Sequence, residues 1–290
     1  MPKSGLFVGL VTLDLIYLTE NFPHRNQKIV AKDYVVTAGG PATNAGITFS
    51  YLGNNSKLAG VVGNNANASL IKADLETYQV NLLDLNPSRL DSPPVSSIIV
   101  TASTGERAVI SINAKKIPAM TENLPDNLLE KVNLVLIDGH QMAVSEAIAP
   151  QAKAKQIPVV IDGGSWKSGW DNVLPYVDYA ICSANFYPPG CQTTEDVVAY
   201  LINIGIPNIA ITQGEKPILY FQEGNRGEIP VPSIKAVDTL GAGDIFHGAF
   251  CHYLLTQDFD FTSALTAASK IASLSCRYFG TRQWIKEFRR

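Results

Sequence analysis

The stretch Asp238-Thr239-Leu240-Gly241-Ala242-Gly243-Asp244 sets three small residues and a carboxylate at the start of a helical pattern in which Phe246, Ala249, Phe250 and Tyr253 share a face. Small side chains at 241–243 leave backbone N–H groups uncovered where the helix dipole favours anions, which makes an anion cradle. A carboxylate in that place would repel an anion it had to hold. It suits a general base acting on a nucleophile that attacks the anion. Asp244 is therefore the candidate base, and Gly241, Ala242 and Gly243 form the candidate cradle. The same residues also read as a plain tight turn. They also open a dinucleotide fingerprint, with Asp260 roughly where a ribose-binding acid would stand, but Phe246 fills the place of the third glycine.

A second stretch, Gly39-Gly40-Pro41-Ala42-Thr43-Asn44-Ala45-Gly46, again sets glycines before a helical pattern (Ile47, Tyr51, Leu52) and adds an amide at Asn44. Glycine permits close approach of backbone to a ligand, and an amide both donates to and accepts from hydroxyls. Neither stretch fits the Walker pattern G-x-x-x-x-G-K-[ST].

These groups need a rigid frame, and the rest of the chain supplies one. Val132 to Ile137, Pro158 to Ile161, Tyr179 to Cys182 and Asn208 to Thr212 are short, apolar and β-prone. They alternate with amphipathic stretches such as Glu195 to Ile204, whose Val197, Val198, Leu201 and Ile202 fall on one face. That alternation predicts a mostly parallel sheet covered by helices. Residues 28–38 and 95–113 break the rhythm as exposed antiparallel strands, the second pair turning at Thr104-Gly105, and predict a small β appendage.

The whole chain, 290 residues with 46% apolar side chains, is expected to form one unit from 1 to 290. Lys and Arg number 23 against 26 Asp and Glu, a formal charge of −3, so no cationic surplus points to nucleic acid. Four scattered cysteines form no C-x-x-C pair and suit a reducing, cytoplasmic setting. Lys3 and the run Leu6 to Val11 imitate a leader peptide, but Asp14 ends the run early. No apolar run reaches the ~18 residues of a membrane helix, so neither membrane nor nucleic acid is expected as a partner.

Together, GGPATNAG near residue 40 and DTLGAGDIFHGAF at 238–250 resemble the two signatures of the ribokinase-like (PfkB-type) carbohydrate kinases, in order and separation along nearly the whole chain. The resemblance implies a three-layer α/β/α fold and a β lid built from about 12–18, 28–38 and 95–113. It implies transfer of the γ-phosphoryl group of ATP to a sugar hydroxyl, with Asp244 as base and Gly241, Ala242 and Gly243 as the anion hole. Sugar contacts carried over by position are Asp14, Gly39, Gly40 and Asn44, and nucleotide contacts are Asn185, Thr212 and Gly214. Lys167 stands where family members often meet the nucleotide phosphates. Magnesium is expected with ATP, but Pro188 replaces the glutamate of the family's Asn-x-x-Glu, which leaves the metal ligands unassigned. A K+ site made of carbonyls near Asp238 and Gly280-Thr281 is a further family feature, as is a homodimer formed through the lid.

Lys28, Asn113 and His140 are expected to converge on the far end of the sugar, whereas His247 and His252 read as packing or polar-face residues. The region of Lys28 and the DIFHGA run are similar to the sulfofructose kinase branch, and ketohexokinases share DTLGAGD. His140 stands where the former branch would place arginine, and a lone imidazole cannot form the bidentate fork that suits a sulfonate. A neutral ketose or pentose is therefore expected. Tyr17, Phe22 and Tyr34 would have to supply the base slot of a nucleoside kinase, and a sugar-binding regulator without turnover is the other alternative.

Overall fold

The computed structural model describes residues 1–112 and 118–288. In chain order its strands and helices are β1 Ser4–Val8, β2 Thr12–Thr19, β3 Asp33–Gly39, α1 Pro41–Tyr51, β4 Asn55–Gly60, α2 Ala66–Thr77, β5 Val80–Asp84, β6 Val95–Thr101 and β7 Arg107–Ile110. Then follow β8 Leu134–Ile137, α3 Met142–Ala154, β9 Val159–Gly163, α4 Trp170–Val173, β10 Tyr179–Ser183, α5 Thr194–Ile204, β11 Asn208–Gln213, β12 Lys216–Gln222, β13 Asn225–Ile229, α6 Ala242–Thr256, α7 Phe261–Ser275 and α8 Gln283–Phe288.

Nine strands form the large sheet in the order β13-β12-β11-β10-β9-β8-β1-β4-β5. From β11 to β5 every pairing is parallel, and β12 alone runs against the rest, antiparallel to both β11 and β13. Leu134 to Ile137 are all fully buried, as a strand covered on both faces requires. Apolar clusters fill each face: Phe7, Phe49, Phe250 and Trp284 belong to one, Leu6, Val135, Trp170 and Phe186 to the other. The expected α/β/α arrangement is thus present.

Helix ends follow local chemistry. Thr193 and Asp196 close a capping box on α5, and Gly205 ends it at φ 98°. Val197, Val198 and Leu201 are buried as expected, but Ile202 is 52% exposed, because it lies at the border of the apolar stripe.

The smaller sheet has the order β3-β2-β6-β7. The expected hairpin is present, with Gly105 N donating to Thr101 O at 2.8 Å in its turn. Two details differ from expectation. The strand foreseen at 28–38 begins only at Asp33, because the ladder pairs Leu18 with Asp33 and β2 ends one residue later; Lys32 N still donates to Leu18 O at 2.7 Å, and 28–31 lie beyond the ladder. The sheet is also mixed, since β2 runs parallel to β6. Beneath it Ile16, Ile98, Val100 and Phe279 make a separate small core. Among the described residues no helix is long and apolar enough to cross a membrane.

Candidate active site

β2 and α6 point two carboxylates at each other. Asp14 is buried on the inward face of the small sheet, where it accepts from Thr12 Oγ1 at 2.6 Å. Burial raises its proton affinity and the charge of Asp244 adds to that, while bonds from Thr12 and Ser96 oppose it. Gly39 supplies the room: a Cβ at that position would stand 1.9 Å from Asp14 Oδ2. Gly40 then turns the chain into α1, which delivers Asn44 to the same place.

Asp244 lies in the first turn of α6, half-buried, and accepts from Asn44 Nδ2 at 2.7 Å. Burial pushes its carboxyl up to about 6, the nearby Asp162 adds to the rise, and the Asn44 bond and His247 oppose it. A carboxylate tuned close to neutrality is matched to proton transfer at physiological pH. Asp162, at the end of β9, faces His247 with Nδ1 and Oδ2 3.4 Å apart. The imidazole of His247 also meets the carbonyls of Gly243 at 2.7 Å and Ile181 at 3.3 Å.

Just before α6, Gly241 adopts φ +70°, a conformation that disfavours any side chain, and a Cβ there would come within 2.7 Å of Thr281 Cγ2. It contributes no capping side chain, and of the first-turn amides of α6 that of Ala242 donates to Thr239 O at a long 3.3 Å. Ala242 and Gly243 line a cavity of about 690 Å³ that runs away from Asp14 between β11, α6 and α7. Asn185, Thr212 and Gly214 line its far side, and Phe246, Val231 and Ala272 give it apolar walls. Arg107, on the inward face of β7, also lines it and donates to Thr239 O at 3.1 Å and Thr239 Oγ1 at 2.6 Å, joining the small sheet to the cradle loop.

His140 is half-buried beyond the end of β8. Burial lowers its proton affinity, Asp138 and Asp244 oppose that, and Lys167 adds to it, so all four groups share one field. Lys167 Nζ donates to Ser165 O at 3.3 Å and Asp138 O at 3.4 Å. It therefore stands beside His140 rather than in the lining of the cavity. Lys28 is exposed in the irregular stretch ahead of β3, and no described contact joins it to the cluster. Asn113 lies outside the described residues. Tyr17 and Tyr34 stack on each other, centroids 6.5 Å apart, on the sheet face opposite Asp14, so strand alternation removes the base slot that a nucleoside would need there. Asp260 caps α7 by accepting from Ser263 N at 2.7 Å, which accounts for it without a ribose.

Five contributors were not foreseen in these roles. Asp138 ties the site together, accepting from Leu10 N at 2.9 Å, Ala42 N at 3.1 Å and His140 N at 2.9 Å. Asp138 and Asp162 both follow apolar strands, and position at a strand end was the available signal. His247, read as a packing residue, sits one turn from Asp244. Arg282, buried near the C-terminus, donates to Asn44 Oδ1 at 2.8 Å, and no motif in the sequence marks it. Asp238 accepts from Leu240 N and Gly280 N, both at 2.8 Å, and pins the cradle loop to the Gly280-Thr281 loop. Among the described residues no cluster of three or more His, Cys, Asp or Glu is placed to hold a metal.

This arrangement offers a candidate base, a candidate anion cradle and a nucleotide-sized cavity on one side, with the buried polar groups of Asp14, Thr12 and Ser96 on the other. Comparison with known proteins shows the family. The family model described as pfkB family carbohydrate kinase matches residues 3–287. A deoxyribokinase of Salmonella typhi is 24% identical, over 95% of this chain and 93% of its own. The structure of Arabidopsis thaliana ribokinase complexed with ribose and ATP superposes with a TM-score of 0.73 at 19% identity, covering 98% of each chain. An Escherichia coli structure described as a candidate ribokinase II with ATP and Mg2+ does so at 0.80 and 18%, covering 100% of this chain and 98% of the other.

Proposed function

The chain belongs to the pfkB family of carbohydrate kinases, and from that membership we propose that it moves the γ-phosphoryl group of ATP to a hydroxyl of a small neutral sugar, a ketose or a pentose. The observation that carries the reading is the place of Asp244, next to Ala242 and Gly243 on the wall of the cavity of about 690 Å³ and close enough to Asp14 for their charges to interact, with an Asn44 bond fixing its carboxylate.

ATP lies in the cavity, its base against the Val231 and Ala272 walls and its phosphates toward Ala242 and Gly243. The sugar lies under the small sheet, which acts as a lid, with Asp14 accepting from its hydroxyls and His140 and Lys167 bordering it. Losing a hydroxyl would leave buried acceptor capacity on Asp14 unfilled beyond its bond from Thr12, which favours polyols. As the hydroxyl oxygen bonds to the γ phosphorus, its proton passes to Asp244, the bond from phosphorus to the β,γ-bridging oxygen breaks, and ADP leaves. The cradle amides hold the transferring oxygens.

Mg2+ supplies charge neutralisation at the β and γ phosphates. With Pro188 in place of the family glutamate and no group of three or more His, Cys, Asp or Glu placed to hold a metal among the described residues, the donor set here fits a magnesium that travels on ATP with its own water. A K+ held beside Asp238 belongs to the same proposal and is checked by exchanging K+ for Na+ in the assay. Two copies pair through the outer face of the lid.

The test is ADP release with Mg-ATP across ketoses, aldopentoses, sulfo-sugars and nucleosides, with Asp244→Asn alongside. One sugar should raise turnover above the ATP-only rate, and Asp244→Asn should remove that gain by about 10²-fold or more. Sugar binding without turnover by either protein would instead mark a binding regulator, and turnover of a nucleoside alone would overturn the assignment to sugars.

A further inference from the structure

A base and an anion cradle do not by themselves call for a buried cation, yet one stands behind them. Arg282 is 7% exposed, in the loop that leads into α8. Its Nη1 donates to Asn44 Oδ1 at 2.8 Å and Thr281 Oγ1 at 2.9 Å, and its Nη2 donates to Ala38 O at 2.7 Å and faces Asp74 Oδ2 at 3.4 Å. Asp74, on α2, also accepts from Thr37 Oγ1 at 2.8 Å and Ala38 N at 3.0 Å. The ring of Tyr78 lies 5.5 Å from the guanidinium carbon. Burying a guanidinium is costly unless its partners are well placed.

Asp74 and the carbonyl of Ala38 would suffice for a cation that only staples the fold. The contact with Asn44 does something else. A primary amide has one acceptor end and one donor end and can turn over, whereas a guanidinium only donates. With Arg282 on its oxygen, Asn44 must present its NH2 to Asp244, where it donates at 2.7 Å.

We propose that Arg282 is a positioning residue for the phosphoryl-transfer base: by holding the oxygen of Asn44 it dictates the amide orientation that fixes Asp244. The relay runs from Asp74 through Arg282 and Asn44 to Asp244 and joins α2, the C-terminal loop, α1 and α6. Its bond to Ala38 O sits next to Gly39, so one cation sets both the base and the end of the lid strand that borders Asp14. The inference rests on the reading of Asp244 as base. It adds a role for a residue that touches neither sugar nor nucleotide.

Asp244 faces Asp162 from β9, Asp138 and His140 from beyond β8, Asp14 from β2 and His247 from its own helix. Asp162 and Asp138 make it hold its proton more tightly, and the Asn44 bond and His247 oppose them. Removing Arg282 frees Asn44 to turn, the opposing bond is lost, and Asp244 takes up its proton at higher pH.

The experiment measures kcat, the KM for ATP and the pH profile of kcat/KM for Arg282→Lys, Arg282→Met, Asn44→Ala and the double variant Arg282→Met with Asn44→Ala. The expected result is a kcat lower by about 10- to 100-fold, an unchanged KM for ATP and an acid limb moved to higher pH. The double variant should be no worse than Asn44→Ala alone. Millimolar guanidinium should restore part of the activity of Arg282→Ala. Full additivity in the double variant, or folded Arg282 variants with the wild-type profile, would overturn the proposal. Should the Arg282 variants not fold, Asn44→Ala still decides, because an unmoved acid limb there removes the link to Asp244. Retained activity in Asp244→Asn would instead sink the base assignment itself.

Discussion

A carboxylate that leaves water to meet its substrate binds its proton more tightly, and Asp244 does so under burial and the field of Asp162, reaching about 6. The folded state then holds that proton better than the unfolded chain between pH 3.8 and about 6. Stability falls as pH rises through this window, and the full cost remains above it. Asp244→Asn removes the charge and keeps an acceptor for Asn44. It should therefore raise stability at pH 8 by ~1–3 kcal/mol, with the gain shrinking to nothing near pH 4. Thermal melts of both proteins at the two pH values check this, and a mutant less stable than wild type at pH 8 would refute the burial account. Gly39 makes a second case at this scale. A methyl there would occupy the space of the Asp14 carboxylate, 1.9 Å away. Gly39→Ala should raise the KM for the sugar by about 10²-fold, the scale of an ångström-sized misplacement. The KM for ATP should not move.

At the scale of elements, the site depends on how closely α1 and α6 approach, since one carries Asn44 and the other Asp244. Gly248 permits that approach: a Cβ there would stand 2.3 Å from Ala45 O and 2.7 Å from Thr48 Cβ. Gly248→Ala must push the helices apart, which costs about 1–3 kcal/mol as overpacking. The displacement acts on the residue next to Asn44, so kcat should fall along with the melting temperature. A variant that melts early but turns over normally would show that the Asn44–Asp244 bond tolerates the shift. Arg107 makes the equivalent link from the small sheet, its bonds to Thr239 holding the β6-β7 hairpin on the loop that precedes α6.

For the whole molecule, the outer face of the small sheet is the surface most in need of a partner. Tyr34 is 66% and Ile110 is 73% exposed there, beside Tyr17 and Val36. Strand alternation puts all four on the face opposite Asp14. If two copies pair through it, light scattering should give twice the 31.3 kDa chain mass, and Tyr34→Glu should give the monomer. A wild-type monomer at tens of micromolar would refute the pairing. The order of strands and helices was legible in the chain, because buried parallel strands such as Leu134 to Ile137 must be apolar throughout and their covering helices must be amphipathic. The glycine turn ahead of Asp244 and the meeting of Asp244 with Asn44 involve residues that stood out in the chain, because tight turns and a neighbouring acid leave a local pattern of residue types. Arg282, Asp74, Asp162 and the exposed position of Lys28 did not stand out. Each depends on which distant segment packs against which, and Arg282 meets Asn44 across 238 positions of sequence. Local residue types thus determined which groups are candidates for the chemistry, whereas the proton affinity of Asp244 and the orientation of its amide partner came from burial and long-range contacts that exist only once the chain has packed.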